Sequence, residues 1–319
     1  MVLKKKIPDI SKEIYKEDLV VLLQNKYAAL GPLWVTSQLE WMNGIYASFK
    51  NHDKFLIIVY LIKKTLDSYS RNFIRLSYEE FYKMETVEIA EFNINEISKA
   101  LNIPKESARR KVNELESIGV IKRIKKKIII DRSSFKYSKP KNTIVRISRF
   151  LSVVSKLCVD ENILSKTISS ESLEKVIKDN FSYIWKIYYE MQLPMMMAYK
   201  HVFKDLETFH IYGTCVVNQH LYTQNINHLE MNKDEFIKST LFLGAQGINA
   251  MSISDITGIP RATVIRKLQR LVLRNNLKID NKKHYRLSGV YVEQLKLPQN
   301  QVFDQLANFS TKIFNFVIL

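Results

Sequence analysis

The chain repeats itself, and the repeat constrains the fold more than any other feature. The stretch Asn93-Ile-Asn-Glu-Ile-Ser-Lys-Ala-Leu-Asn-Ile-Pro104 aligns without a gap on Asn249-Ala-Met-Ser-Ile-Ser-Asp-Ile-Thr-Gly-Ile-Pro260, at an offset of 156. Downstream, Ser107, Arg110, Lys111, Val112 and Leu115 fall on Thr263, Arg266, Lys267, Leu268 and Leu271, which keeps hydroxyl, basic and apolar classes in step. Upstream the matches are sparser: Glu80 and Phe81 match Glu235 and Phe236 at 155, and Phe49, Lys50 and Phe55 match Phe203, Lys204 and Phe209 at 154. Two copies are too few for a solenoid, in which stacked neighbours bury each unit's apolar face. The expectation is a tandem duplication, each half a helical region followed by a short module, divided as residues 1–140 and 141–319.

The module reads as two short helices and a hairpin. Ile94, Ile97 and Leu101 recur at helical spacing behind Asn93, which with Glu96 has the pattern of a capping box. That helix stops at Asn102 and its counterpart at Gly258, the residue types that best tolerate a left-handed backbone past a helix end. Pro104 and Pro260 suit the first turn of a new helix, where a missing N–H costs nothing. At 100° per residue, Ala108, Val112 and Leu115 share one face of the second helix, opposite Glu106, Ser107, Arg110, Asn113 and Glu114. In the second copy Val264, Leu268 and Leu271 form the apolar face, and Ala262, Thr263, Arg266, Gln269 and Arg270 point away from it. The period then shortens to β-like stretches, 120–124 with 128–130 and 277–279 with 285–287, which predict hairpins with basic tips. A helix-turn-helix over 93–118 with a wing at 120–131, and a second over 249–274 with a wing at 277–288, follow from this pattern, with a C-terminal helix closing the chain.

Charge is concentrated in the same two places. Residues 99–149 hold 16 basic and 4 acidic side chains, and residues 254–286 hold 9 basic and 2 acidic. Those two blocks exceed the +17 of the whole chain, so the remainder is slightly acidic and a lysine-rich coding bias does not explain the pattern. Discrete basic patches on a near-neutral body are the footprint of a polyanion-binding protein, because neutralising phosphates releases condensed counterions. Double-stranded DNA is the expected partner; an anionic membrane surface is the competing one.

The run Gly258-Ile-Pro-Arg-Ala-Thr-Val-Ile-Arg-Lys-Leu-Gln-Arg-Leu-Val272, followed by Tyr285-Arg-Leu287, resembles the winged-helix DNA-binding domains of bacterial regulators of the IclR and MarR type. In the first copy, Leu115-Glu-Ser-Ile-Gly119-Val-Ile121 has the Leu-x-x-x-Gly-x-Ile close with which such domains enter the wing. The second copy departs there, with Asn275-Asn276 where glycine is usual. The resemblance covers about 45 residues per copy. It implies a mainly α fold with small β-hairpin wings, in which the outward side of each second helix enters the major groove and each wing touches the DNA backbone or minor groove. The residues it assigns to DNA in the first copy are Lys105, Ser107, Arg109, Arg110 and Lys111 on the helix and Lys125, Lys126 and Lys127 on the wing. In the second they are Arg261, Thr263, Arg266, Lys267 and Arg270, with Lys282, Lys283, His284 and Arg286 on the wing. The second helix carries no acidic residue on its outward face and is the cleaner reader; in the first, Glu106 and Glu114 would repel phosphates.

Other chemistries find little support. Only 8 glycines are present, and no GxGxxG or GxxxxGK[ST] string occurs. Cys158 and Cys215 form no CxxC pair or disulfide framework, which fits a reducing cytosol. The longest apolar run, residues 55–62, is too short to span a bilayer, and the basic start has no apolar stretch after it. His201, His210, Cys215, His220 and His228 lack metal-binding spacing, so neither a metal nor a cofactor is expected, and no grouping suggests catalysis. The cluster Trp185, Tyr188, Tyr189, Met191, Met195, Met196 and Met197 reads as helical core or a dimer interface, with an effector pocket as the alternative. A cytoplasmic, nucleoid-associated transcription regulator is expected, monomeric or homodimeric. A plasmid- or phage-type replication initiator and a non-enzymatic scaffold are the other readings.

Overall fold

The computed structural model describes residues 9–89, 93–125, 127–134, 139–226, 230–243, 246–289 and 291–319, the side chains of 291–293 excepted. It is mainly helical, with two small antiparallel sheets. After a short 3-10 turn, the first unit runs α1 (Lys16–Asn25), α2 (Tyr27–Phe49), α3 (His52–Arg71), α4 (Tyr78–Lys83), β1 (Thr86–Ile89), α5 (Ile94–Ala100), α6 (Lys105–Ser117), β2 (Ile121–Ile124), β3 (Lys127–Asp131) and α7 (Lys141–Asp160). The second runs α8 (Ser170–Asp179), α9 (Phe181–Phe203), α10 (Leu206–Ile226), α11 (Lys233–Phe242), α12 (Ala250–Thr257), α13 (Arg261–Leu273), β4 (Leu277–Ile279), β5 (Tyr285–Leu287) and α14 (Tyr291–Ile318).

The two lists correspond helix by helix. α1 and α8 are 154 apart, α2 and α9 likewise, and the offset reaches 156 at α6 and α13. Their ends are made in the same way. α2 and α9 both stop on a left-handed lysine, Lys50 and Lys204. Ser77 and Asn232 both close capping boxes, on α4 and α11. Asn102 and Gly258 both take positive φ, as do Gly119 and Asn275, so asparagine does supply the backbone for which glycine is usual. The recurrence includes α1 and α8, whose sequences share little beyond Glu17 with Glu171 and the fully buried Leu19 with Leu173.

Two local expectations need correction. Asn93 caps α5 through the amide of Asn95, while Glu96 turns away to accept from Tyr60 Oη and Lys64 Nζ on α3, both at 2.8 Å. No capping box therefore forms at α5. Pro104 and Pro260 occupy the N-cap positions of α6 and α13, one residue earlier than the first turn.

The units exchange their packing partners. α2 lies on α10 and α3 on α9, while α1 packs on α14 and α7 on α8. Each contact has its reciprocal, as in the isologous interface of a two-fold dimer. One continuous core draws on α1, α2, α3, α7, α8, α9 and α14, and a smaller one sits beneath α12, α13 and the β4–β5 hairpin. Pro32 shows how tightly the halves are joined. It has no N–H for the carbonyl of Ala28 one turn earlier, and Gln224 Nε2 of α10 donates to that carbonyl at 3.2 Å instead. α7, just past the expected division at 140/141, occupies the place that α14 holds in the second unit, and the larger core draws on helices of both halves.

Candidate nucleic-acid interface

In the second unit, α12 and α13 meet at about a three-residue turn and the β4–β5 hairpin follows. Val264, Leu268 and Leu271 are buried under α13, as the periodicity requires. Gly247 lets the chain before α12 press against the hairpin: a Cβ there would sit 2.6 Å from the Tyr285 carbonyl oxygen, and Ile248 bridges to Tyr285. Asp280 builds the hairpin tip, its Oδ1 accepting from the amides of Lys282 and His284 at 2.9 Å each. These amides hold its carboxyl below the usual range.

This scaffold presents an almost unopposed cationic surface. Arg261, Arg266 and Arg270 are exposed along α13, Thr263 is half-buried beside them, and Lys282, Lys283 and Arg286 are exposed on the hairpin. Two further cations belong to the surface, Arg274 at the end of α13 and Lys278 on β4, both exposed. Lys278 lies directly across the ladder from Arg286, an arrangement of like charges that costs stability. Among the described residues none of these arginines and lysines has an acidic partner within 4.0 Å. Half-buried His284 approaches Asp280 at 3.7 Å, and Glu207 and Asp280 feel the charges of Arg266 and Arg286 from farther off.

The first unit builds a similar frame and neutralises it. Here β1 joins the hairpin, giving the order β1-β3-β2. Arg109 pairs with Glu106 at 3.0 Å, Arg110 approaches Glu114 at 3.7 Å, and Lys127 pairs with Glu88 at 2.5 Å. Arg123 is held by Glu116, whose carboxyl the contact keeps below its ordinary value. Glu114 is likewise depressed, chiefly by the hydrogen bond from Lys54 of α3. Lys105 and Lys125 are exposed and Ser107 is half-buried; Lys126 lies outside the described residues.

Lys111 and Lys267, expected to face DNA, face inward instead. Lys267 is 6% exposed and donates to Asp205 Oδ2 at 2.6 Å, with Glu207 at 3.8 Å. Lys111, at the equivalent position, is 9% exposed and lies 3.5 Å from Asp53. Asp53 also takes the ammonium of Lys200 from α9, which donates to the Leu101 carbonyl at the end of α5 as well. The two lysines therefore bolt their helices to the N-termini of α10 and α3. Spacing contained the signal: Lys111 is three residues after buried Ala108 and four before buried Leu115, at the edge of the apolar face.

The rings of the cluster around Trp185 are core, while Met195 and Met196, also buried, border a cavity between α9, α2 and α10. Trp185, Tyr188 and Tyr189 are buried with ring centroids 4.6–5.9 Å apart. Among the described residues no group of His, Cys, Asp and Glu could hold a metal ion, and no helix is long and apolar enough to cross a membrane. No family model, curated protein or solved structure matches the chain.

Proposed function

We propose that the protein is a sequence-specific DNA-binding transcription regulator in which a single chain supplies two winged-helix modules. The observation that carries this reading is the surface of α13 and its hairpin, where exposed arginines and lysines lack acidic partners and Lys278 opposes Arg286. Cations held together at a cost to stability, with no carboxylate within 4.0 Å among the described residues, suit a polyanion. In the proposed complex α13 enters the major groove with Arg266, Gln269 and Arg270 toward base edges, and the hairpin tip meets phosphates. The first module, with Arg109, Arg110 and Lys127 already paired, adds backbone contacts through Lys105 and Lys125. The exchanged packing sets the spacing between modules, as a dimer interface does for two protomers.

The test is selection of bound duplexes from a random DNA pool at near-physiological salt, repeated with Arg266→Ala. An enriched sequence that blurs at one position in the variant supports base readout by α13. Absence of enrichment refutes sequence-specific binding. Mapping the enriched sequence to an isolated operator or to repeated origin sites separates a regulator from a replication initiator.

A further inference from the structure

A cavity of about 140 Å³ lies among α2, α9, α10, α11 and α14. Trp34, Met42, Met196, Tyr199 and Leu306 are among its mainly apolar walls. Among the described residues twelve buried side-chain polar atoms make no hydrogen bond, and three of them, Gln38 Oε1, His220 Nδ1 and Gln299 Oε1, lie on this lining. Unpaired buried polar atoms are costly, and three around one apolar space suit the donor-seeking anchors of a binding site. Burial holds His220 at a pKa of about 4, so its ring is neutral at ordinary pH and retains an acceptor nitrogen.

The other half of the molecule shows that the fold does not require this space. At the offset of 154, Gly31, Trp34 and Val35 on α2 correspond to Trp185, Tyr188 and Tyr189 on α9. On α9 the three rings pack together with Phe181, and Gln192, the counterpart of Gln38, donates through Nε2 to Tyr188 Oη at 2.6 Å, while its Oε1, like that of Gln38, is buried without a hydrogen bond among the described residues. On α2 a glycine and a valine replace two of those rings; the Tyr27 ring covers Gly31, 2.5 Å from where a Cβ would stand, so the space that remains lies beside Val35. Across the cavity, Gly213 of α10 also faces it, and an added Cβ there meets nothing within 4 Å. Leu287 and Ser288, at the foot of the second hairpin, complete the wall, and the Leu287 amide donates to Gln219 Oε1 of α10 at 2.5 Å.

We propose that this cavity binds a ring-sized, mainly apolar molecule bearing a hydroxyl, whose single proton is donated to one of the acceptors Gln38 Oε1, His220 Nδ1 or Gln299 Oε1, and that occupancy alters the DNA affinity of the second module. A comparable apolar cavity of roughly 150 Å³ admits benzene, and the unpaired acceptors select for the hydroxyl. The coupling rests on the DNA-binding reading; ligand binding does not.

Fluorescent 2-naphthol, titrated into the full-length protein, is the probe, with naphthalene as the control lacking the hydroxyl. Saturable binding at one site is expected, with 2-naphthol tighter by about tenfold, as one hydrogen bond supplies. Gly213→Leu fills the space without a backbone clash and should abolish binding of both probes while the far-UV circular dichroism is retained. Gln299→Leu should narrow the gap between the probes. Absence of saturable binding, undiminished binding to Gly213→Leu, or equal affinity for both probes overturns the site. With the selected duplex, 2-naphthol should change DNA affinity several-fold in the wild type and not in Gly213→Leu. Unchanged DNA affinity alongside intact 2-naphthol binding overturns the coupling. Failure to bind any duplex overturns both the coupling and the proposed function, while the 2-naphthol titration still decides the site.

Discussion

Adjacent residues on α13 should fail in opposite ways, and this separates structural from DNA-facing cations. Lys267 is buried between Asp205 and Glu207, so Lys267→Met leaves two carboxylates without their counter-charge. Breaking a fully buried pair costs about 3–5 kcal/mol. Asp205 is 40% exposed and its other oxygen keeps the Thr208 amide and hydroxyl, so water recovers part of that loss and about 2 kcal/mol is expected. At about 2.1 cal/mol/K of unfolding entropy per residue, the 319-residue chain should lose about 3 °C in Tm by calorimetry. Folded Lys267→Met should bind the selected duplex with an unchanged salt slope. Arg266→Ala removes an exposed side chain and should leave Tm within about 1 °C, while costing about 1–3 kcal/mol of binding if the guanidinium reads a base. If it meets a phosphate instead, the log-log salt slope should flatten by about 0.9. An unchanged Tm for Lys267→Met, together with a flattened salt slope, would refute its structural role.

Other perturbations test the frame. Burial holds His52 and His220 near pKa 4, and His210, hydrogen-bonded to Asn43 and His52, well below its ordinary value. All three are neutral in the folded chain and take up protons on unfolding. Stability should therefore be full above about pH 6.5 and decline toward pH 4; a urea midpoint unchanged between about pH 7.5 and 5 would contradict this. Gly213→Ala, adding a Cβ inside α10 where nothing clashes, should raise stability by about 1 kcal/mol through helix propensity, read as a higher urea midpoint. Gly247→Ala should do the reverse, because its Cβ meets the Tyr285 carbonyl. A loss of about 1–3 kcal/mol is expected, and hydrogen exchange should locate the loosening at Ile248 and Tyr285.

Much of each helix pair was legible because its signals are local. The faces of α6 and α13, the left-handed Asn102, Gly258 and Asn275, and strands β4 and β5 all depend on residues within a few positions. The candidate interface was legible by residue type but not by partner. Arg109 and Arg266 look alike in sequence, yet Glu106 pairs with the first and, among the described residues, no carboxylate lies within 4.0 Å of the second. Lys127 is neutralised by Glu88, 39 residues earlier and across a ladder, where spacing along the chain carries no information.

From the sequence alone came the duplication, the mainly helical class, the two basic modules and the absence of familiar catalytic strings, because each follows from periodicity, residue type or self-similarity. Tertiary structure decided which half each helix serves, since α2 finds its partner in α10 and α3 in α9, and such pairing depends on long-range shape. It also decided that Lys111 and Lys267 are bolts and that one half keeps an open cavity where the other is filled. Those outcomes turn on which side chains share a volume, and volume is shared between residues far apart in the chain.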